Sequence, residues 1–380
     1  MIKRVAILTN GGDCPGLNAV IRALVRSAEK NGIECYGFID GYKGLLNKEY
    51  MLLSNNTKIT TGLLSKGGTI IGSSNNVNVF NMKIEEDGKV KYVDLSDKCI
   101  ENLKELKIDC IFTLGGDGTQ KSARDFSTKG VKVIGIPKTI DNDVPCTEIT
   151  FGYNTAVQVA TDALDRLRTT AQSHKRVLTL EVMGRNAGWI ALESAISGGA
   201  DVALIPEIPF DIKKVVKKIE RNIKNGKEFS LVVVSEGAKP KGGKVSIKRK
   251  VDATPGLDDI RLGGIGEQVA SEIEKLTGIA TRNTTLGYVQ RGGTPTSFDR
   301  VLSTKYGCKA MELAMEGIFN VLVTVNGDKL GYVSLEDIVG ENTEIGASSG
   351  SNNEKTNIKR VSLDHELVRT ARDVDICLGD

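Results

Sequence analysis

The feature that most constrains this chain is a repeated unit, in which a short apolar strand leads through glycines into a helix-period segment. Val5–Leu8 leads through Gly11–Gly16 into Leu17–Lys30, whose apolar positions fall on one helical face. Ile111–Leu114 leads through Gly115–Gly118 into a second such segment. Strands that alternate with helices of roughly 10–15 residues predict an α/β fold with largely parallel sheets and helices on both faces.

Composition limits the possible functions. Lys and Arg (51) nearly balance Asp and Glu (48), and aromatic residues make up 5% of the chain, which argues against a nucleic-acid surface. No apolar run approaches the roughly 18 residues of a membrane span. Seven cysteines without a Cys-x-x-Cys pair indicate neither a disulfide framework nor a zinc site. We therefore expect a soluble cytoplasmic protein without nucleic-acid or membrane partners.

The segment Gly115–Thr119 places one acid among glycines, after an apolar strand and before a helix expected from about Thr119. Backbone amides at such a turn can bind phosphate, and Asp117 is well placed to hold Mg²⁺. Diacylglycerol kinases and NAD kinases carry a similar Gly-Gly-Asp-Gly-Thr motif, so the segment predicts a phosphoryl donor more firmly than an acceptor. The alternatives are an acid that only caps the helix and a Gly11–Gly12 turn that only serves packing.

The segment Thr139–Asp143 supplies two carboxylates at the end of the next predicted strand. Neighbouring parallel strands bring it to the same crevice as Asp117. Asp141 can then accept the proton of an attacking hydroxyl group. Several arginines at strand ends and turns suit a phosphorylated sugar or a similar anionic acceptor, namely Arg176, Arg185, Arg282 and Arg291.

In this order, these segments resemble the phosphofructokinases over nearly the whole chain: Gly11–Asn18, Gly41–Gly44, Gly67–Thr69, Gly115–Thr119, Pro137–Asp143, Met183–Arg185 and Leu286–Gly293. Diacylglycerol and NAD kinases lack the Thr-Ile-Asp-Asn-Asp and Gln-Arg-Gly-Gly segments. The resemblance implies two similar three-layer α/β domains with largely parallel sheets. Residues 1–152 are expected to bind the donor ATP, completed by about 290–340. Residues 153–289 are expected to bind the sugar phosphate, completed by about 341–380.

The resemblance also implies the reaction, which is phosphorylation of the 1-hydroxyl of fructose 6-phosphate by ATP and Mg²⁺ to give fructose 1,6-bisphosphate, a step of glycolysis. Asp141 is implied as the general base, with Lys138 as a second catalytic residue. The implied donor site, with Mg²⁺ at Asp117, comprises Gly12, Gly116, Asp117, Gly118 and Thr119. The implied sugar-phosphate site comprises Thr139, Ile140, Asp141, Met183, Gly184, Arg185, Glu236, Tyr288 and Arg291. Arg176 and Arg282 correspond to residues that a neighbouring subunit supplies, which implies a homo-oligomer, either a dimer or a tetramer.

Two positions bear on the donor, which is ATP in some branches of the family and pyrophosphate in others. An aspartate at position 118 tends to crowd the α-phosphate of the nucleotide, whereas a lysine at position 138 is typical of pyrophosphate-linked branches. Gly118 and Lys138 therefore give opposite indications, a pairing that resembles the mixed-substrate branch of the 6-phosphofructokinases. We expect ATP, because a side chain at position 118 is an obstacle while a triphosphate tolerates one more positive charge. Pyrophosphate is the alternative donor.

Asn75 stands where the family usually has an arginine that bridges the donor and product phosphates. Losing that charge weakens transition-state stabilisation by roughly a few kcal/mol, so a catalytically weak, ligand-responsive subunit is a further alternative. Tyr288 stands where many members have histidine, and its hydroxyl can still bond the sugar phosphate. The family's bacterial effector site is matched only in part, which leaves allosteric regulation open. The matching residues are Arg22, Arg26, Arg168 and Asp201, and Lys227 is the only residue that remains of the later basic cluster of that site.

Overall fold

The computed structural model describes residues 2–75, 77–86, 89–250, 260–339 and 358–380. Within them the strands are β1 (Arg4–Thr9), β2 (Glu34–Phe38), β3 (Tyr50–Leu52), β4 (Met82–Glu86), β5 (Lys89–Val93), β6 (Cys110–Gly115), β7 (Val133–Pro137), β8 (Val177–Val182), β9 (Val202–Leu204), β10 (Ser230–Ser235), β11 (Ile247–Lys250), β12 (Ile260–Leu262), β13 (Thr281–Thr285), β14 (Val321–Asn326) and β15 (Lys329–Ser334). The α-helices are α1 (Leu17–Lys30), α2 (Tyr42–Asn47), α3 (Thr57–Thr60), α4 (Ser96–Glu105), α5 (Asp117–Thr128), α6 (Tyr153–His174), α7 (Trp189–Ser197), α8 (Ile212–Lys224), α9 (Ile265–Thr277), α10 (Ser297–Glu316), α11 (Leu335–Val339) and α12 (Glu366–Asp373). Short 3-10 helices cover Leu63–Ser65 and Gly287–Arg291.

Two separate sheets organise the chain. The larger has the order β15-β14-β7-β6-β1-β2-β3, and its five inner strands run parallel. Its edge strands β3 and β15 are antiparallel to their neighbours, and the sequence pattern did not predict them. The smaller sheet has the order β13-β8-β10-β9 and is parallel throughout. The predicted fold class, α/β with largely parallel sheets, is therefore confirmed.

The chain crosses between the two sheets more than once. The larger sheet takes its strands from residues 4–137 and again from 321–334, while the smaller takes its strands from 177–285. After α11 the end of the chain returns to the smaller sheet, where Cys377 bridges Val202. Residues 341–357, the first part of the expected completion of the second domain, lie outside the described residues. The larger sheet is therefore built from segments that are distant in sequence, and the smaller sheet gains one bridge from the end of the chain.

The apolar core follows from the helical periodicity. Helix α1 buries Val20, Ile21, Leu24 and Val25 against the larger sheet and packs against α10. One continuous cluster of buried side chains extends from that face to α6 and α7 beside the smaller sheet. Separate clusters cover the outer face of each sheet, under α4 and α5 on one side and under α8 and α9 on the other. Each helix in the described ranges is too short or too polar to cross a bilayer.

Asp299 joins two helix starts in the interior of the protein. It lies in the first turn of α10 with no exposed surface. Its carboxylate accepts hydrogen bonds from the N–H of Gly152 (3.0 Å), the N–H of Thr155 (2.8 Å) and the hydroxyl of Thr155 (2.6 Å). One carboxylate thus satisfies donors at the start of α6 that have no helical acceptor.

We expect Asp299→Ala to lower the free energy of unfolding by about 2–4 kcal/mol, because buried donors lose their acceptor. Asp299→Asn keeps one acceptor oxygen, so its loss is expected to be smaller. Urea unfolding measures both, with Asp328→Ala in the exposed turn between β14 and β15 as the control. An Asp299→Ala protein within about 0.5 kcal/mol of the parent would contradict this role.

Candidate active site

Three motifs meet where the adjacent parallel strands β1, β6 and β7 end. The N–H of Asn10 donates to the carbonyl of Leu114 (3.1 Å), and the N–H of Lys138 donates to the carbonyl of Gly115 (3.1 Å). These bonds extend the strand pairing just beyond β1 and β7. The glycine turn after β1, the start of α5 and the loop after β7 therefore lie side by side, as expected for the ligand-binding edge of a parallel sheet.

Helix α5 begins two residues earlier than the sequence pattern indicated. Gly116 is its N-cap residue, so Asp117 and Gly118 lie in the first turn and not in the preceding loop. Asp117 is half-buried, and Gly118 is exposed. A Cβ atom at Gly118 would meet no atom within 4 Å, so open space lies beside the helix start. The positive end of a helix dipole favours a phosphate group at this place.

Lys138 connects the glycine turn to the loop after β7. Its side chain is buried and donates to the carbonyl oxygen of Gly12. Burial lowers its pKa to about 8, and the charge of Arg291 acts in the same direction. The neighbouring Cys14 thiol is also buried, which raises its pKa to about 12. Lys138 is therefore a cation that burial makes easier to deprotonate than an exposed lysine.

Asp141 carries a buried oxygen that no hydrogen bond satisfies. Among the described residues, its Oδ1 atom has no partner, while its N–H donates to Thr139 Oγ1 (3.1 Å). Burial and then the charge of Asp143 raise the pKa of Asp141 to about 7, against the opposing charges of Arg291 and Lys138. Burial also raises the pKa of Asp143, while a hydrogen bond from Thr139 lowers it. An orphaned acceptor with a pKa near neutrality suits a general base.

The smaller sheet presents its strand ends to the same place. The loop Met183–Arg185 follows β8, and Glu236 follows β10, with its N–H donating to Val182 (2.8 Å). Gly184 has φ of +128°, and its carbonyl accepts from Ser235 Oγ (2.5 Å), so a side chain there would be strained. Burial and the charge of Asp141 raise the pKa of Glu236 to about 7. Asp141 follows a strand of the larger sheet and Glu236 follows a strand of the smaller one, so residues from both sheets lie in one site.

Arg291 is the fixed charge among these groups. A Cβ atom at Gly12 would lie 2.6 Å from its Nη1 atom, so the glycine permits this close approach. The guanidinium donates to the carbonyl of Asp13 (3.3 Å). Its charge lowers the pKa of Asp141, Asp143 and Glu236. Arg291 thus lies between the glycine turn and the carboxylates, where it can bind an anionic group.

Buried Gln290, which the sequence pattern did not single out, accepts a hydrogen bond from the N–H of Met183 (2.7 Å). It fixes the Met183–Arg185 loop against the 3-10 helix that carries Arg291. The sequence signal that could have identified Gln290 is its position next to the candidate residue Arg291, and that signal is weak. Gln290 therefore positions the site without facing a ligand itself.

Several predicted residues lie apart from this cluster or take another part in it. Ile140 is fully buried in the core, so its side chain cannot face a ligand and only its backbone can. Tyr288 is 76% exposed on the 3-10 helix. Arg176 precedes β8 and Arg282 lies near the start of β13, so both are at the opposite end of the smaller sheet from Met183, about 20 Å along a six-residue strand. This chain does not bring these two arginines to its own site.

Thr119 and Asn75 also have defined places. The buried Thr119 packs its side chain against Gly115, which leaves its backbone at the helix start. Asn75 is exposed and follows Ser73 and Ser74, which bond Gly11 through the Ser73 hydroxyl (2.6 Å) and the Ser74 carbonyl (3.1 Å). Position 75 therefore lies just beyond the segment bonded to the glycine turn.

The residues matched to an effector site fall in two places. Arg22 and Arg26 line a surface cavity of about 330 Å³ together with Arg300. Arg168 instead donates to the carbonyls of Gly198 and Gly199, and Lys227 forms an ion pair with the buried Asp201 (2.5 Å). Arg168, Asp201 and Lys227 are thus engaged in contacts within this chain.

A helix start with open space beside it, an orphaned carboxylate and a fixed arginine lie together between the two sheets, an arrangement that suits phosphoryl transfer. The chain belongs to the phosphofructokinase family, whose model, described as Phosphofructokinase, matches residues 4–314. It is 50% identical to "ATP-dependent 6-phosphofructokinase 2" of Clostridium perfringens, covering 100% of this chain and 99% of that protein. It is 42% identical to "ATP-dependent 6-phosphofructokinase 3" of Bacteroides thetaiotaomicron, covering 99% and 100%. The solved pyrophosphate-dependent phosphofructokinase of Marinobacter aquaeolei superposes with a TM-score of 0.76 at 21% identity, covering 100% and 93%, and so shares the fold.

We expect Asp141→Asn to stabilise the protein, and to do so increasingly as the pH rises. The pKa of Asp141 is raised on folding, so the folded state binds this proton more tightly and loses stability between about pH 4 and pH 7. Asparagine has no such penalty, so the difference in Tm between the two proteins should grow from pH 5 to pH 8. Thermal unfolding at both pH values checks this, with Asp328→Asn as an exposed control. A Tm difference that does not change with pH would show that Asp141 is not buried as a charge.

Proposed function

We propose that this chain transfers the terminal phosphoryl group of ATP to the 1-hydroxyl of fructose 6-phosphate, with Asp141 as the general base. The reaction is supported by full-length relatives named ATP-dependent 6-phosphofructokinase. The single observation that supports the role of Asp141 is its buried, unpartnered oxygen, whose carboxyl has a pKa of about 7. A hydroxyl that donates to this oxygen loses its proton to a group matched to neutral pH.

The roles of the other residues follow from their positions. The start of α5 and the turn at Gly12 hold the donor phosphates, because helix amides and glycine backbone can approach an anion closely. Arg291 and Arg185 bind the sugar phosphate as fixed positive charges. Lys138, beside the Gly12 carbonyl, stabilises the negative charge on the phosphoryl group during its transfer from donor to acceptor. Phosphoryl transfer needs chiefly this positioning and charge stabilisation.

The choice of ATP over pyrophosphate rests on Gly118. The space beside its Cα leaves room for the nucleotide's α-phosphate, which pyrophosphate lacks. Lys138 is already hydrogen-bonded to backbone and does not fill that space. The likeness to pyrophosphate-dependent enzymes lies near 21% identity and concerns the fold alone.

Magnesium fits the residues that are present. Among the described residues, no group of three or more His, Cys, Asp or Glu could hold a metal ion by themselves. Mg²⁺ is commonly held by one or two carboxylates together with substrate phosphates and waters, and Asp117 in the first turn of α5 offers such a carboxylate. When bound, the ion neutralises charge on the donor phosphates.

The proposal also includes the two binding units of the chain, its homo-oligomeric state and its cellular location. Residues 1–152 with about 290–340 form the donor-binding unit, and residues 153–289 with the C-terminal segment form the sugar-phosphate unit. Arg176 and Arg282 serve the site of a neighbouring copy in a homo-oligomer, since they lie at the far end of β8 and β13 from their own site. A reducing cytoplasm agrees with seven unpaired cysteines.

We expect turnover of fructose 6-phosphate with ATP and Mg²⁺ and much slower turnover with pyrophosphate, measured as fructose 1,6-bisphosphate formed. Gly118→Asp should lower kcat/KM for ATP by about 100-fold or more, through steric and charge repulsion, with a smaller effect for pyrophosphate. Gly130→Asp, at another open glycine, controls for the added charge, although its φ of +85° adds strain. Turnover with pyrophosphate but not ATP would overturn the donor assignment, and ligand binding without turnover would favour a ligand-responsive subunit.

Asp141→Asn should lower kcat by about 10²–10⁴-fold while fructose 6-phosphate still binds, because asparagine cannot accept the proton. Steady-state kinetics with ATP and a separate binding titration with fructose 6-phosphate measure the two effects. Near-normal kcat would remove Asp141 from the role of base.

A further inference from the structure

The residues 358–361, the C-terminal strap, lie between the two halves of the site. The N–H of Lys359 donates to the carbonyl of Asp143 (2.9 Å), and the carbonyl of Lys359 accepts from Trp189 Nε1 (3.0 Å). The N–H of Val361 donates to Glu207 Oε1 (2.9 Å), and the Glu207 carboxylate also accepts from the N–H of Gly188 (3.0 Å). The strap therefore joins the loop after β7 to the start of α7, which follows the Met183–Arg185 loop.

The ammonium group of Lys359 is fully engaged by the loop that carries Asp141 and Asp143. It donates to Asn142 Oδ1 (3.0 Å), the Thr147 carbonyl (3.0 Å) and the Glu148 carbonyl (2.7 Å). Three acceptors use all three of its donors. The same group lies 5.3 Å from the centre of the Trp189 ring, a cation–π distance. Burial lowers its pKa to about 8, so its charge is kept at a cost.

The central residue of this loop has an uncommon backbone conformation that side-chain contacts hold in place. Asn142, between Asp141 and Asp143, has φ of +52°, in the left-handed region. Its side-chain oxygen accepts from the N–H of Thr150 (3.0 Å) and from Lys359, and these two bonds orient the turn. Relaxation of the turn would move both neighbouring carboxylates, and a displacement of about 1 Å can cost about 10²-fold in rate.

We propose that Lys359 is a positioning residue for the phosphoryl-transfer reaction, which holds Asp141 at its catalytic distance by tying the Asp141–Asp143 loop to α7. Lys359 lies outside residues 4–314, the part matched by the family model. The inference rests on the proposed role of Asp141 as general base. It gives the C-terminal strap a part in catalysis through the loop that the strap holds.

The test compares Lys359→Met with Lys359→Arg in the full-length protein. Lys359→Met should lower kcat by about 10–100-fold and change KM for fructose 6-phosphate by less than about threefold, because Arg185 and Arg291 still bind the sugar phosphate. Lys359→Arg keeps a charged donor and should recover at least about a third of the parent kcat. Lys309→Met removes a largely covered lysine whose ion pair with Glu312 (2.6 Å) is on α10, and it should leave kcat unchanged.

Some outcomes would overturn the proposal. A folded Lys359→Met protein with kcat within about twofold of the parent would do so. So would a loss of kcat that only follows a loss of folded protein, measured by thermal unfolding.

If Lys359→Met does not fold, Trp189→Phe replaces it, since phenylalanine keeps a ring but removes the bond to the Lys359 carbonyl. That variant should lose about 3–10-fold in kcat at nearly constant KM, and an unchanged kcat would reject the proposal. Absence of turnover in the parent protein would instead reject the proposed function itself.

Discussion

The constraint on which the site depends is the crowding of five charged groups, Lys138, Asp141, Asp143, Glu236 and Arg291, into one crevice between two sheets. Burial acts on them in opposite directions: it lowers the pKa of Lys138 and raises the pKa of Asp141 and Glu236. The positive charge of Arg291 opposes the rise in pKa of both carboxylates. Because its guanidinium must reach this point, the backbone at Gly12 has no room for a side chain. The glycine turns after the strands are therefore part of the electrostatics of the site.

Two buried aspartates show how the chain separates structural from functional carboxylates. Asp299 has no exposed surface and Asp141 has a buried Oδ1 atom, and burial raises the pKa of each carboxyl. Three donors at the start of α6 satisfy Asp299, and these bonds offset part of the rise. Asp141 has a free oxygen and a second carboxylate nearby. Because hydrogen bonds satisfy both oxygens of Asp299, this carboxylate serves to connect two helices. One oxygen of Asp141 has no hydrogen-bond donor within the described part of the chain, so it can accept a proton.

The local pattern was sufficient to predict the parallel strands, the glycine turns and the strand-end acids. These features depend on residues close in sequence, as in the run from Ile111 to Thr119. The pattern did not predict β3, β15, Gln290 or the part played by Lys359. Gln290 and Lys359 depend on partners far along the chain, such as Asn142 for Lys359, and neither periodicity nor turn chemistry gives a signal for such contacts. The edge strands β3 and β15 instead pair with the strands that precede them, and the turn at Gly327 and Asp328 was a local signal that was missed. The start of α5 was misplaced by two residues because glycine and aspartate have low helix propensity, while their position at the N-terminus makes both acceptable.

The smaller sheet has a charged residue at each end, and the two ends differ in how firmly those charges are held. At the carboxyl end, Arg185 donates to the Ile260 carbonyl (3.0 Å) and lies beside buried carboxylates. At the amino end, Arg282 forms an exposed ion pair with Glu274 (2.9 Å), where solvent screens the attraction. An exposed pair of this kind is weak, so a phosphate dianion from another copy could replace Glu274 at little cost. In the proposed oligomer, this exchange makes the amino end of β13 suited to serve a site other than its own.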